Sequence, residues 1–222
     1  DNGYSISRGQ NLQISNIGES YYKKDSGGDN FYKLILSSNI SEDSLIVGNS
    51  YLGNSGKLKE LKKGEIIFCS RGAQFGRGTI FLQSEKRVIT NIDNMHISNT
   101  NANLNEKIFI TQMLRFYRKK KYLYSKAIFG NGSYSFTKYQ LEDLFFPSFP
   151  DSKQKEIANY YYNEIGENKD LTFDNYLNKE FERNKNLGIY QLNMEIFSLR
   201  ELLENIIDKI IMDKEVTISF EY

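Results

Sequence analysis

With 222 residues, 39% apolar and 14% aromatic side chains, the chain carries enough hydrophobic surface for one large domain plus an appendage, which excludes an intrinsically disordered polymer. No apolar run approaches the roughly 18 residues of a membrane span and no basic-then-apolar leader is present, so a soluble protein without a membrane partner is expected. The net charge of +1 hides an asymmetry: residues 151–222 hold 9 Lys and Arg against 15 Asp and Glu, leaving 20 basic and 13 acidic residues in 1–150. That balance fits a polyanion-binding domain joined to a separate protein-contact element.

Taken in chain order, the first half is β-rich and rich in Gly, Ser and Asn turns. The chain begins at Asp1, without Met, so a piece of a longer protein or a processed form is expected. Strands are expected over residues 32–36, 45–47, 66–69, 79–82 and 88–92. The most informative stretch is GEIIFCSRGAQFGRGTIF at 64–81. An apolar run at Ile66, Ile67, Phe68 and Cys69 leads into a loop where Arg71, Gln74 and Arg77 alternate with Gly72, Gly76 and Gly78, followed by a second run from Thr79. This pattern is strand, tight basic loop, strand. Arg and Gln can pair with base edges and phosphates, so these three side chains are candidates for base or groove contact. An ordinary hairpin with solvated arginines has the same local pattern. Cys69, the only cysteine, sits in the apolar run and is expected to be a buried small hydrophobe in a reducing, cytoplasmic setting.

The catalytic inventory is short. His96 is the only histidine, in NIDNMHIS with Asp93 three residues before it, and no second His or Cys stands at metal-ligand spacing. No nucleophile elbow or Walker loop is present, and an Asn-Pro-Pro-aromatic site is excluded because the only prolines are Pro147 and Pro150. A non-catalytic chain with neither metal nor cofactor is expected. Glu142 and Asp143 are expected to be solvated or to mark a helix start.

One long helix is expected from about Asn105 to Ile128, with Glu106 in its first turn and Ile110, Met113, Leu114, Tyr117, Tyr124 and Ile128 as the buried stripe. Arg115, Arg118, Lys119, Tyr122 and Lys126 would then lie along one exposed face. The four cations on that face are candidates for phosphate contact. A flexible turn follows at Gly130, Asn131, Gly132 and Ser133, with Tyr134 beside it as a further DNA-facing candidate.

Pro147 and Pro150 mark a boundary, after which Asp151 or Ser152 can cap a helix starting at Lys153. The expected domains are 1–150 and 151–222. In the second, Ile189, Leu192, Ile196, Leu199, Leu203, Ile206 and Ile210 are separated by 3, 4, 3, 4, 3 and 4 residues, a coiled-coil-like stripe at 189–210. Such a stripe requires a partner helix. It is either the earlier stretch with Phe173, Leu177 and Phe181 or a helix of another chain.

In order and spacing, LILSSNI, GEIIFCSRGAQFGRGTIF, KYLYSKAIFGNGSYSFTKYQLEDLFFPSFP and QKEIA resemble the target-recognition domains of type I restriction-modification DNA specificity subunits over roughly residues 30–165. The resemblance implies an α+β fold, with a mixed, twisted β-sheet, one long packed helix and C-terminal helices that set the spacing between recognition domains. It implies sequence-specific recognition of double-stranded DNA and no chemistry in this chain. The partners implied are a DNA adenine methyltransferase subunit or domain, a restriction and translocation subunit, and a second copy of the chain through the C-terminal helix. Only one recognition domain and one spacer set are present, and residues 166–187 are expected to be an insertion before the stripe. A half-subunit that dimerises and the recognition region of a fused methyltransferase both fit. A protein-interaction module that assembles through its heptad helix without reading DNA is the alternative.

Overall fold

A computed structural model describes residues 3–23, 30–165, 172 and 174–215. The fold is α+β. Its elements in chain order are β1 (Ser5–Arg8), α1 (Ile14–Ile17), β2 (Tyr21–Lys23), β3 (Phe31–Ile35), β4 (Ser50–Gly53), β5 (Ile66–Cys69), β6 (Gly78–Ile80), β7 (Val88–Thr90) and β8 (Asn94–Ser98). There follow α2 (Leu104–Lys119), α3 (Tyr122–Lys126), β9 (Ile128–Gly130), β10 (Ser133–Ser135), α4 (Lys138–Glu142), α5 (Asp151–Tyr161), α6 (Tyr176–Lys185) and α7 (Ile189–Ile211). The chain divides by packing into two units, Asp1–Lys155 and Glu156–Tyr222.

The strands of the first unit form two four-stranded sheets, one of them mixed as expected, and a separate β9–β10 hairpin. One sheet runs β1-β8-β5-β6 and is antiparallel throughout. The other runs β2-β4-β3-β7 and is mixed, because β3 pairs with β7 in parallel and with β4 in antiparallel. β5 shows how this arrangement follows from sequence. Side chains alternate across a strand, so Ile66 and Phe68 face one layer while Ile67 and Cys69 face another. The first pair joins a core with Leu114, Leu123 and Phe136 from beyond the sheet. The second joins Ile35 and Val88 of the other sheet. A strand buried on both faces has an unbroken apolar run, which is why its limits were legible.

Two expectations about local structure fail for identifiable reasons. Residues 45–47 are not a strand; Ile46 makes only an isolated bridge to Ile40, closing a tight turn over residues 41–45. The expected single helix from 105 to 128 is broken. It starts one residue early, at Leu104, where the Asn103 side chain accepts from the Glu106 N–H at 2.9 Å. It stops at Lys119, because Lys121 adopts φ 61 and turns the chain into α3, which sends Leu123 into the core. Ile128 therefore lies exposed on β9 and is not part of a helical stripe. Downstream, the Pro150 carbonyl accepts from the N–H groups of Lys153 and Gln154, so α5 starts at Asp151, two residues before the expected position.

In the second unit, the start of α7 is fixed against the end of α5. The Gln191 side-chain oxygen accepts from the N–H groups of Gly188 and Asn163, and the Tyr190 ring lies 6.0 Å from Tyr161. A Cβ at Gly188 would stand 2.4 Å from the Tyr161 carbonyl group, so this close approach requires glycine. Beyond that junction no residue of α6 or α7 is buried. Leu177 and Phe181 are exposed, so they do not cover the stripe; Phe173 lies outside the described residues. Ile189, Leu192, Ile196, Leu199, Leu203 and Ile210 are exposed and Ile206 is half-buried.

Candidate functional site

The β5–β6 connection is a constrained basic loop. Its two strands pair antiparallel, and Gly72 and Gly76 take φ 84 and φ 77. Phe75 at the loop's centre is buried, 5.8 Å from the Tyr134 ring in a stacked arrangement and 5.3 Å edge-on from Phe136. That anchor fixes which way the neighbouring polar side chains face. Gly76 is also crowded: a Cβ would sit 3.0 Å from Leu123 and 3.3 Å from Arg118, so those side chains would have to shift by a few tenths of an ångström. Gly76→Ala is expected to cost about 1–3 kcal/mol in a urea unfolding titration, from left-handed strain together with that crowding.

The sequence candidates do not all come together. Arg77, Arg115, Arg118 and Lys119 line one cavity of about 250 Å³, together with Glu42, Asp43, Ser44, Gly76 and Gly78. Arg71 lies apart from them, exposed and paired through Nε with the Asp93 carboxylate. Gln74 is half-buried on the same loop. Lys126 stands on α3 with its ammonium 5.8 Å from the Tyr122 ring. The continuous cationic face expected from Arg115 to Lys126 is interrupted at Lys120 and Lys121, where α2 ends. Tyr134 on β10 packs against Phe75, Tyr124 and Phe129, so its ring also supports the loop.

The cavity is built from long-range pairs. Arg77 donates through Nη1 to the Ile40 carbonyl at 2.7 Å and through Nη2 to Glu42 at 2.8 Å. Arg118 donates through Nε to the Phe75 carbonyl at 2.9 Å and through Nη1 to the other Glu42 oxygen. Arg115 donates through Nε to the Glu42 carbonyl at 3.0 Å and through Nη2 to Asp43. Glu42 thus bridges two guanidinium groups, and Asp43 holds a third. Desolvation pushes the Glu42 pKa up, but the Arg77 hydrogen bond and the Arg118 charge outweigh it and hold the carboxyl below its usual range. These two acids escaped sequence reasoning. The only trace of them is an acidic pair between two serines, SEDS, in an otherwise basic half.

The other titratable groups singled out from the sequence make contacts within the fold. Burial pushes the Cys69 thiol up to about 12, so it is not a nucleophile at neutral pH. His96 is 1% exposed, with Nε2 2.6 Å from the Thr90 hydroxyl. Asp93 accepts from Arg71 and Asn91. Glu142 pairs with Lys138 on α4. Among the described residues no three His, Cys, Asp or Glu side chains gather as metal ligands would, and no helix is long and apolar enough to cross a membrane.

No protein-family model matches the sequence, and no curated protein matches it. Two solved structures are similar to part of this chain. One is a chain from work on complex assembly and conformational transition of the type I R-M system, with TM-score 0.43 and 11% identity over 72% of this chain and 37% of that one. The other is the HsdS subunit from Thermoanaerobacter tengcongensis, with TM-score 0.41 and 14% identity over 72% of this chain and 36% of that one. The present chain spans little more than a third of the length of either.

Proposed function

We propose that the first unit is a DNA target-recognition domain that grips a duplex, and that α7 joins it to another helix, so that the assembly brings an adenine methyltransferase, with or without a restriction subunit, to a chosen site. The observation that carries the first part is the convergence of Arg77, Arg115, Arg118 and Lys119 on one cavity. Four cations against two carboxylates leave a local excess of positive charge, and guanidinium groups match phosphate geometry in two-pronged contacts. The motif order over residues 30–165 supports the same reading. Phosphate contacts position a protein on DNA and base contacts give specificity, so the cavity cations are assigned to phosphate. Arg71 and Gln74, on the same loop but outside the cavity, are assigned to base edges. Arg77 joins either group only by giving up the Glu42 carboxylate for DNA while it keeps the Ile40 carbonyl.

The second part rests on the uncovered stripe of α7. Apolar side chains repeating every 3.5 residues on average form a seam that a like helix can cover, and a second copy of this chain supplies one. Leu199→Asp places a charge in that seam. It is expected to weaken self-association by about tenfold or more, as the loss of one buried leucine contact implies, without altering the thermal unfolding of the first unit. Sedimentation velocity over a concentration series checks this. A parent and variant that sediment identically as monomers, and capture a methyltransferase subunit equally, contradict the helix assignment.

The same exposed stripe favours a second reading, in which the chain is a protein-interaction module and does not read DNA. Binding to random-sequence duplex at low salt separates the two. Retention of duplex supports the recognition domain; absence of binding together with intact self-association supports the module.

A further inference from the structure

The arginines that line the cavity are already paired with two carboxylates of the chain itself, Glu42 and Asp43. Glu42 and Asp43 sit on a turn held from both ends: the Ser41 hydroxyl accepts from the N–H groups of Asp43 and Leu45, Ser41 donates its N–H to the Leu45 carbonyl, and the Ser44 carbonyl accepts from the Thr79 hydroxyl at 2.6 Å. Ser44 lies in the left-handed region at φ 65, a conformation that a non-glycine residue keeps only where its surroundings enforce it. The turn is therefore placed against the arginines by construction.

The two sides of this contact differ in a telling way. The side chains of Arg118 and Arg77 are only 17% and 19% exposed, and each is also held by a backbone carbonyl that no anion would displace. The Glu42 and Asp43 side chains are each 58% exposed, and their carboxylates pair with these arginines. Fixed guanidinium walls with half-solvated carboxylates between them make a site whose anion can be exchanged. In addition, Glu42 presents its two oxygens to two different guanidinium groups, as the two non-bridging oxygens of a phosphodiester would.

We propose that the Glu42–Asp43 turn is an internal stand-in for phosphate, filling a three-arginine anion site that a phosphodiester of the bound nucleic acid takes over. Until that exchange, the carboxylates screen the arginines and restrain binding to any polyanion. A contact made only after displacing them requires the backbone to be presented correctly, so the turn suppresses non-specific binding more than docked binding. The identity of the ligand as DNA rests on the function proposed above; the anion site does not.

The test uses the Arg Nε–H resonances of the full chain, followed by NMR during titration with inorganic phosphate at constant chloride. In the parent, the resonances of Arg115 and Arg118 are expected to shift with phosphate. In Glu42→Gln/Asp43→Asn the same shifts are expected at lower concentration, with affinity about three- to tenfold tighter, the size that loss of a few partly exposed ion pairs implies. Random duplex DNA should show a gain in the same direction. Equal or weaker phosphate affinity in the double variant overturns the proposal, because the carboxylates then organise the arginines and do not compete for them. Arginine resonances that stay still in both proteins overturn it as well. If the double variant loses its amide dispersion, Asp43→Asn, which touches only Arg115, carries the same expectation on that one resonance. Tighter phosphate binding with no duplex binding by either protein supports the anion site and refutes the DNA reading, so the two fail separately.

Discussion

Replacing Arg115, Arg118 and Lys119 together with alanine is expected to weaken binding to every duplex sequence, by up to about 500-fold at ~0.1 M salt, and to lower the slope of log affinity against log salt by about 2.7. The size follows from counterion release, in which each neutralised phosphate contributes about 0.9 to that slope. Because all three side chains are assigned to phosphate, sequence preference should survive the loss. Glu42 and Asp43 remain in the variant and face only Arg77, so the local charge turns from net positive to net negative. Isotherms at four salt concentrations, on one random and one preferred duplex, check slope and preference together. Arg118 also donates to the Phe75 carbonyl, so some loss of stability is expected; Lys119→Ala, at an exposed position, separates the electrostatic effect from that one.

The second large effect is on stability against pH, and it centres on His96. The ring is buried between the sheets, and burial, with a smaller contribution from the Lys59 charge, lowers its pKa from 6.5 to about 4. The Glu65 carboxylate stands 3.9 Å from Nδ1, beyond hydrogen-bonding reach, and does not offset the burial. Nδ1 itself has no hydrogen-bond partner among the described residues. A group whose folded pKa is depressed by burial stabilises the fold above its unfolded pKa, and that contribution is lost as pH falls towards the folded value. Here the window runs from 6.5 down to about 4, and the loss amounts to about 3 kcal/mol. His96→Leu removes the titration. Urea unfolding of parent and variant at pH 7.5 and pH 4.5 should converge at the lower pH by most of that amount. Parallel losses in the two proteins would show that His96 does not carry the pH dependence.

What the sequence disclosed follows from the range of each interaction. β5 was legible to the residue, because a strand buried on both faces has a continuous apolar run. β3, β6 and β7 were located to within one or two residues of their ends for similar reasons. β8 went unseen, since Asn94 and His96 suggest solvent, whereas both are buried and paired with polar partners from other parts of the chain. The end of α2 left no sign either: the left-handed residue is Lys121, where glycine or asparagine would have marked a stop. As for the candidate site, its cations could be nominated from residue type and spacing. Their grouping could not, because Arg77 meets Glu42 across 35 residues and Arg115 meets Asp43 across 72. Only folding joins Arg77 to α2 and leaves Arg71 outside, and only folding shows that the acids pair with the site's arginines.

A salt titration of the parent chain against random-sequence duplex DNA bears most directly on the claim that the first unit grips nucleic acid through this cavity. Binding at ~50 mM salt is expected, with affinity falling log-linearly as salt rises and with a slope steep enough to require several phosphate contacts. Absence of binding at that salt, or an affinity that does not change between about 50 and 200 mM, would contradict it.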